Sequence, residues 1–247
     1  MRYFIELQYL GTNYHGWQIQ PDVISVQQVI QEALTTLLRQ PISIVGAGRT
    51  DAGVHAKQMY AHFDSDFIPD IPHLVYRLNA FLPKDIAILS VFEVPLEAHA
   101  RFDAISRSYE YHIFLGKNPF ALETTWQLHA INLDIAKMNQ ASKILLKHTN
   151  FKSFSKTHTD VFTYNCTITE AKWTLLDNTL IFHITANRFL RNMVRAIVGT
   201  LYNVGLGKIS VLEVENIIKS QNRSKAGFSV PAKGLFLTNI QYPFLDN

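Results

Sequence analysis

Two stretches of this chain alternate side chains with a period of two, and each is followed by apolar residues at helical spacing. Tyr3, Ile5, Leu7 and Tyr9 alternate with Phe4, Glu6 and Gln8; further on, Tyr109, Tyr111 and Ile113 alternate with Glu110, His112 and Phe114. Period two marks a strand. After the first strand, Ser25 and Gln28 read as a capping box for a helix built on Val26, Val29, Ile30, Ala33, Leu34, Leu37 and Leu38. A chain that switches repeatedly between the two periods must lay helices on a sheet.

The remaining segments extend this pattern. Strands are expected at 42–45, 58–63 and 86–94, with a helix at 73–80. The second half offers a helix at 133–148, strands at 167–175 and 180–186 about a turn at Asp177-Asn178, and a long helix at 189–204. A helix capped by Ser210 and Glu213 then runs to 218, and a strand at 235–242 closes the chain. Hairpin signals without a strict βαβ repeat favour an α+β fold with a mixed, mainly antiparallel sheet over a doubly wound one. The expected halves are 1–104 and 105–247, packed against each other without a low-complexity linker.

Composition narrows the function classes. With 47% hydrophobic and 17% charged residues the chain reads as globular. It has neither an apolar run of ~18 residues nor a basic-then-apolar leader, so the expectation is a cytoplasmic protein with no membrane span. The single cysteine, Cys166, excludes an internal disulfide and reads as a small buried hydrophobe. The ten histidines contain no His-Glu-x-x-His, so no metal site is expected. A net charge of +3 is too mild to mark a nucleic-acid binder by itself.

The most informative stretch is Gly46-Ala47-Gly48-Arg49-Thr50-Asp51-Ala52-Gly53-Val54-His55-Ala56. It is not a dinucleotide fingerprint, since Asp51 stands where the third glycine belongs and no long helix follows. Its glycines allow a sharp turn and close approach to a ligand, and Arg49 and Asp51 can share one face of an extended segment, the arginine keeping the carboxylate ionised. The same local pattern also describes an ordinary turn with a surface ion pair. Arg188, Arg191 and Arg195, three and four residues apart on the expected helix, form a basic stripe suited to phosphate or to solvent. Tyr109 is either a core aromatic or a stacking platform.

The string from Gly48 to His55 resembles the signature of the TruA family of tRNA pseudouridine synthases. Further segments match in order: Tyr9 through Gln18 with Ser25-Val26-Gln27, His99-Ala100-Arg101-Phe102 with Arg107-Ser108-Tyr109-Glu110-Tyr111, Asn187 through Arg195, and Lys233-Gly234-Leu235-Phe236-Leu237. The likeness covers nearly the whole chain. Leu10, Asp103 and Val230 depart from residues frequent in the family, away from the catalytic positions.

The resemblance implies the pseudouridine synthase fold, two RNA-recognition-like (ferredoxin-like) halves sharing one sheet with a basic central cleft. It implies an isomerase without cofactor or metal, a homodimer holding tRNA, and uridine targets at positions 38 to 40 of the anticodon stem-loop. Asp51 becomes the catalytic carboxylate, Arg49 its partner and Tyr109 the aromatic that stacks on the base. Arg101, Arg188, Arg191, Arg195 and Leu235 become substrate contacts, with Arg107, Lys225 and Lys233 extending the track, while His15 and His55 orient loops. The chemistry suits a carboxylate: it can attack the sugar's anomeric carbon, remove its 2′ proton, or attack the uracil ring. The rivals are a tRNA chaperone of the same fold without catalysis, and a base-exchanging transglycosylase.

Overall fold

The computed structural model describes residues 1–129, 131–157 and 161–245. In chain order the elements are β1 (Arg2–Tyr9), α1 (Val26–Leu38), β2 (Ile44–Gly46), β3 (His55–Asp64), α2 (Ile71–Phe81), β4 (Ile86–Val94), β5 (Ser106–Leu115), β6 (Trp126–Leu128), α3 (Ile135–Leu145), β7 (Ile168–Leu176), β8 (Thr179–Ala186), α4 (Met193–Gly205), α5 (Val211–Ser220) and β9 (Leu235–Gln241), with short 3-10 turns between. Strands and helices alternate as an α+β fold. Two compact units emerge, Met1–Ile105 joined by the closing segment from Phe236 onward, and Ser106–Leu235. The closing strand therefore lies with the first unit, although chain order places it at the end of the second half.

In the first unit β1 runs between β4 and β3, antiparallel to both, and β2 pairs antiparallel with β3. The connectivity β1-α1-β2-β3-α2-β4 with the order β4-β1-β3-β2 is ferredoxin-like. The outer edge of β3 is divided. Ile44–Gly46 occupies its later part opposite Ala61 to Phe63, while β9 pairs in parallel with its start, His55 opposite Phe236 and Ala56 opposite Leu237. The chain that links β2 to β3 must therefore leave the sheet between these two pairings.

Period two predicts that Phe4 faces away from the core. Instead it is fully buried. The closing segment covers that face: Tyr242 and Phe244 set their rings edge-on to Phe4 at 5.3 and 5.7 Å, and the Tyr242 hydroxyl donates to the Ala100 carbonyl. Burying a phenylalanine contributes about 1.5–3 kcal/mol, so a sheet covered on both faces explains the departure from simple alternation.

Helix starts follow their caps. Ser25 accepts the Gln28 N–H at 3.3 Å, but the Gln28 side chain donates forward to Glu32 at 3.0 Å, so the expected capping box is half formed. At α5 both halves form, Glu213 N–H to the Ser210 hydroxyl at 3.3 Å and Ser210 N–H to the Glu213 carboxylate at 2.6 Å. Among the described residues no helix is long and apolar enough to cross a membrane.

In the second unit β5 is flanked by antiparallel β8 and by the short parallel β6, and β7 extends the sheet beyond β8. Helix α3 packs on β7 and α4, and α4 is buried along most of its length. Gly199 allows that burial. A Cβ added there would sit 1.9 Å from the Phe228 carbonyl oxygen. On an exposed helix Gly→Ala stabilises by roughly 1 kcal/mol. Here the backbone contact reverses the sign: Gly199→Ala is expected to destabilise the chain by about 1–3 kcal/mol, read as a lower urea midpoint.

Candidate active site

The Gly-rich stretch forms the β2–β3 connection, and its residues are fastened individually. Asp51 opens a β-turn that the Val54 N–H closes on the Asp51 carbonyl at 3.2 Å, with Gly53 at the third position and φ +75°. Only glycine adopts that angle without strain. The Asp51 side chain is half-buried and Arg49 is exposed. Among the described residues Arg49 forms no ion pair, so the expected pairing with Asp51 is not made by Arg49 in this state.

The segment after β1 clamps this turn. The Tyr9 and Thr50 hydroxyls share a hydrogen bond of 2.9 Å, and the Trp17 N–H donates to the Thr50 carbonyl at 3.3 Å. On the other side of Asp51, the Gly53 N–H donates to the Tyr14 carbonyl at 3.3 Å. Gly16, at φ +87°, approaches so closely that a Cβ would lie 2.3 Å from the Thr50 carbonyl oxygen; at Gly11 it would lie 1.9 Å from that of Val54. The Gly11 N–H donates to Nδ1 of fully buried His55 at 2.9 Å. Nδ1 is thus the acceptor, and the neutral ring carries its proton on Nε2.

The clamp is itself anchored. Tyr14 is buried, and its hydroxyl donates to Asp85 at 2.6 Å while the Asn13 amide donates to the other oxygen at 2.9 Å. Burial first, and Asp85 second, push the Tyr14 phenol well above its ordinary range. His55 therefore orients the loop, as expected. His15 is exposed and contributes through its backbone, its N–H donating to the Ile24 carbonyl at 2.9 Å and its carbonyl accepting from Gln20 at 2.9 Å.

In the second unit Tyr109 sits on β5 opposite Ile184 of β8, half-buried, and Phe189 meets its ring edge-on at 5.1 Å. Tyr111, two residues along the same face, is fully buried, with its hydroxyl donating to the Pro231 carbonyl at 2.8 Å. Tyr109 thus stands at the rim of the core that Tyr111 completes. Nothing in the spacing assigned Phe189 a role; its place directly after Asn187-Arg188 was the available signal.

The expected basic stripe does not form on one helix. The helix expected from 189 begins at Met193, because Asn192 adopts the left-handed conformation (φ +65°) and caps it. Arg188 and Arg191 precede α4, leaving only Arg195 on it, so the three do not share a helix face. Arg188 and Arg191 lie instead on the turn before it, which is held by the Lys156 N–H to the Arg191 carbonyl (3.0 Å), the Asn192 amide to the Ser229 hydroxyl (2.6 Å), and Arg195 Nε, from the first turn of α4, to the Val230 carbonyl (2.7 Å). Arg107, distant in sequence but brought near by the β5–β8 pairing, donates to the Asn187 carbonyl at 3.0 Å. Leu235, expected at the substrate, is buried at the start of β9. Cys166 is buried and its thiol is pushed up to about 11 by that burial.

The model of the tRNA pseudouridine synthase family matches residues 7–103 and 141–243. The chain belongs to the tRNA pseudouridine synthase family. Members of this family are isomerases acting on tRNA uridine. The chain is 52% identical to tRNA pseudouridine synthase A of Porphyromonas gingivalis over 246 residues, 98% of this chain and 97% of that protein. With the Bacteroides fragilis protein of the same name it shares 52% over 244 residues, 98% and 96% of the two chains. The Clostridium acetobutylicum protein, again of that name, is 40% identical over 241 residues, 96% and 98%. The matched residues include the Asp51 turn, its clamp and the segment around Arg191.

In this family member Arg101 occupies a turn pinned by two imidazoles. Buried His62 accepts the Ala100 N–H through Nδ1 at 3.1 Å, and His99 Nδ1 accepts from Arg101 N–H at 3.1 Å, while the Asp103 carboxylate accepts the His99 N–H at 2.7 Å. Arg101 itself is exposed over the Phe102 ring, 5.5 Å from its centroid. Burial, then the proximity of His99 and Arg2, draw His62 down to about 4, against the opposing pull of Asp64 and Asp103. An unfolded histidine takes its proton near 6.5, so between 6.5 and 4 the unfolded chain binds more protons than the folded one, and stability is lost as pH falls. The urea midpoint is expected to drop between pH 7 and 4.5, and to drop less in His62→Gln, whose amide oxygen keeps the acceptor without titrating.

Proposed function

We propose that this chain isomerises uridine to pseudouridine in the anticodon stem-loop of tRNA, at positions 38 to 40, with Asp51 as the catalytic carboxylate. The supporting observation is the turn that carries Asp51: a half-buried carboxylate whose neighbours Thr50, Gly53 and Val54 are each fixed to the Tyr9-to-Trp17 segment. An unclamped surface turn has no reason for that investment of close backbone contacts. The relatives named tRNA pseudouridine synthase A supply the substrate class.

The reaction detaches uracil N1 from the sugar C1′, turns the ring, joins C5 to C1′, removes the C5 proton and leaves N1 protonated, so the composition and mass of the tRNA are unchanged. It calls for a carboxylate near the sugar and a flat group to keep the loosened base. Three routes are open to Asp51: attack on C1′, removal of the 2′ proton, or attack on the ring. Tyr109, on the rim of its strand and braced by Phe189, is proposed to stack on the base. Extrusion from the stem costs a few kcal/mol, which stacking and phosphate contacts offset.

Arg49 is exposed and without an ion pair among the described residues, so its guanidinium is available to the RNA. Arg101, Arg188, Arg191 and Arg195 are proposed as further substrate contacts, and Leu235 as apolar lining. The working form is proposed to be a cytoplasmic homodimer that needs neither cofactor nor metal.

The test is incubation of unmodified tRNA transcript with purified protein and no added cofactor, followed by site-resolved mapping. Pseudouridine at positions 38 to 40 with unchanged tRNA mass is expected. Asp51→Asn should lose at least about a hundredfold in rate while still binding tRNA. Full activity in that variant would remove Asp51 from the mechanism.

A further inference from the structure

The second unit contains an open cavity of about 670 Å³ whose walls include Lys152, Ser155, Lys156, Tyr164, Asn222 and Arg223 and, among the described residues, no carboxylate. Lys152, Lys156 and Arg223 thus gather around one concavity, a local cluster that a net charge of +3 does not reveal. Two of them, Lys152 and Arg223, have side chains placed by their own contacts. The Lys152 ammonium rests 5.4 Å from the centroid of the Tyr164 ring, which holds the charge at the wall. Arg223 is half-buried and fixed by two donations, to the Gly227 carbonyl and the Ser229 hydroxyl, both at 3.0 Å. Among the described residues no carboxylate pairs with it, and burial alone draws its pKa down. A partly dehydrated guanidinium without a counter-charge favours an anion that can supply one.

The cavity is joined to the arginine turn. Lys156 donates its N–H to the Arg191 carbonyl, and the Ser229 hydroxyl that receives Arg223 also receives the Asn192 amide. One wall of the cavity and the turn bearing Arg191 therefore share their hydrogen bonds. We propose that this cavity is an RNA-backbone subsite that takes a phosphodiester of the bound tRNA beside the 188–195 segment. The assignment rests on the tRNA reading above and extends it to Lys152, Lys156 and Arg223, which belong to none of the sequence motifs quoted above. Lys152 and Lys156 supply point charges at the mouth, and Arg223 supplies a fixed fork at the wall.

Both lysines are exposed, so their replacement tests charge rather than packing. Binding of unmodified tRNA is measured across a salt series in the Asp51→Asn background, where turnover does not interfere, for Lys152→Gln/Lys156→Gln and for Lys152→Arg/Lys156→Arg. The glutamine pair is expected to weaken binding roughly tenfold or more near 0.1 M salt, and to flatten the log–log salt slope by about 0.7–0.9 per lost contact. The arginine pair should keep both. Unchanged affinity and slope in the glutamine pair, or weaker binding at an unchanged slope with a lower thermal midpoint, would overturn the proposal. Should Asp51→Asn prove fully active, the catalytic assignment fails while the salt slopes still decide the subsite.

Discussion

The contact on which the first unit's site depends is backbone against backbone. Gly16 and Gly11 bring the segment after β1 so close to Thr50 and Val54 that no side chain fits between them. That approach brings the Trp17 amide and the Tyr14 carbonyl within reach of the turn, and lets Tyr9 and His55 complete the clamp. The divided edge of β3 sets the place: β2 on its later part, β9 on its start, and the Asp51 turn rising from the gap. A turn held this way leaves the backbone that carries Asp51 little freedom to lose on binding, which is the condition under which positioning lowers a barrier.

The second unit solves a similar problem with side chains. Asn192 in the left-handed conformation stops the chain from entering α4 early, and the resulting turn spreads Arg188 and Arg191 away from a helix face. Lys156, Ser229 and Val230 then fix the turn from different sides. Gly199 lets the Gly227-Phe228 backbone press against α4, keeping the segment that leads to Ser229 in place. The cationic cavity grows out of the same bonds, so positioning of the turn and collection of charge are one construction.

Much of this was legible in the sequence because it is local. The apolar periodicity places α1 and β4 at the bounds observed, and Asp177, at φ +51°, makes the expected turn between β7 and β8. The string from Gly48 to His55 points to Asp51 by resemblance before any geometry is known. Most of what escaped depends on distant partners. Phe4 is buried by residues from the other end of the chain; two local details escaped as well, the Gln28 side chain bonding Glu32 one turn on, and the start of α4 set by the φ of Asn192. The role of Gly11 and Gly16 is invisible without the turn they touch, and Lys152, Lys156 and Arg223 are scattered in sequence until the fold collects them.

The clamp is the physical core of the account, and Gly16→Ala probes it most directly, because the added methyl must displace the Thr50 carbonyl at one neighbour's remove from Asp51. The measurement is the single-turnover rate of pseudouridine formation with saturating enzyme, alongside tRNA affinity. A shift of the turn by about an ångström should slow the reaction roughly a hundredfold with affinity preserved. A folded Gly16→Ala protein reacting at the wild-type rate would contradict the account.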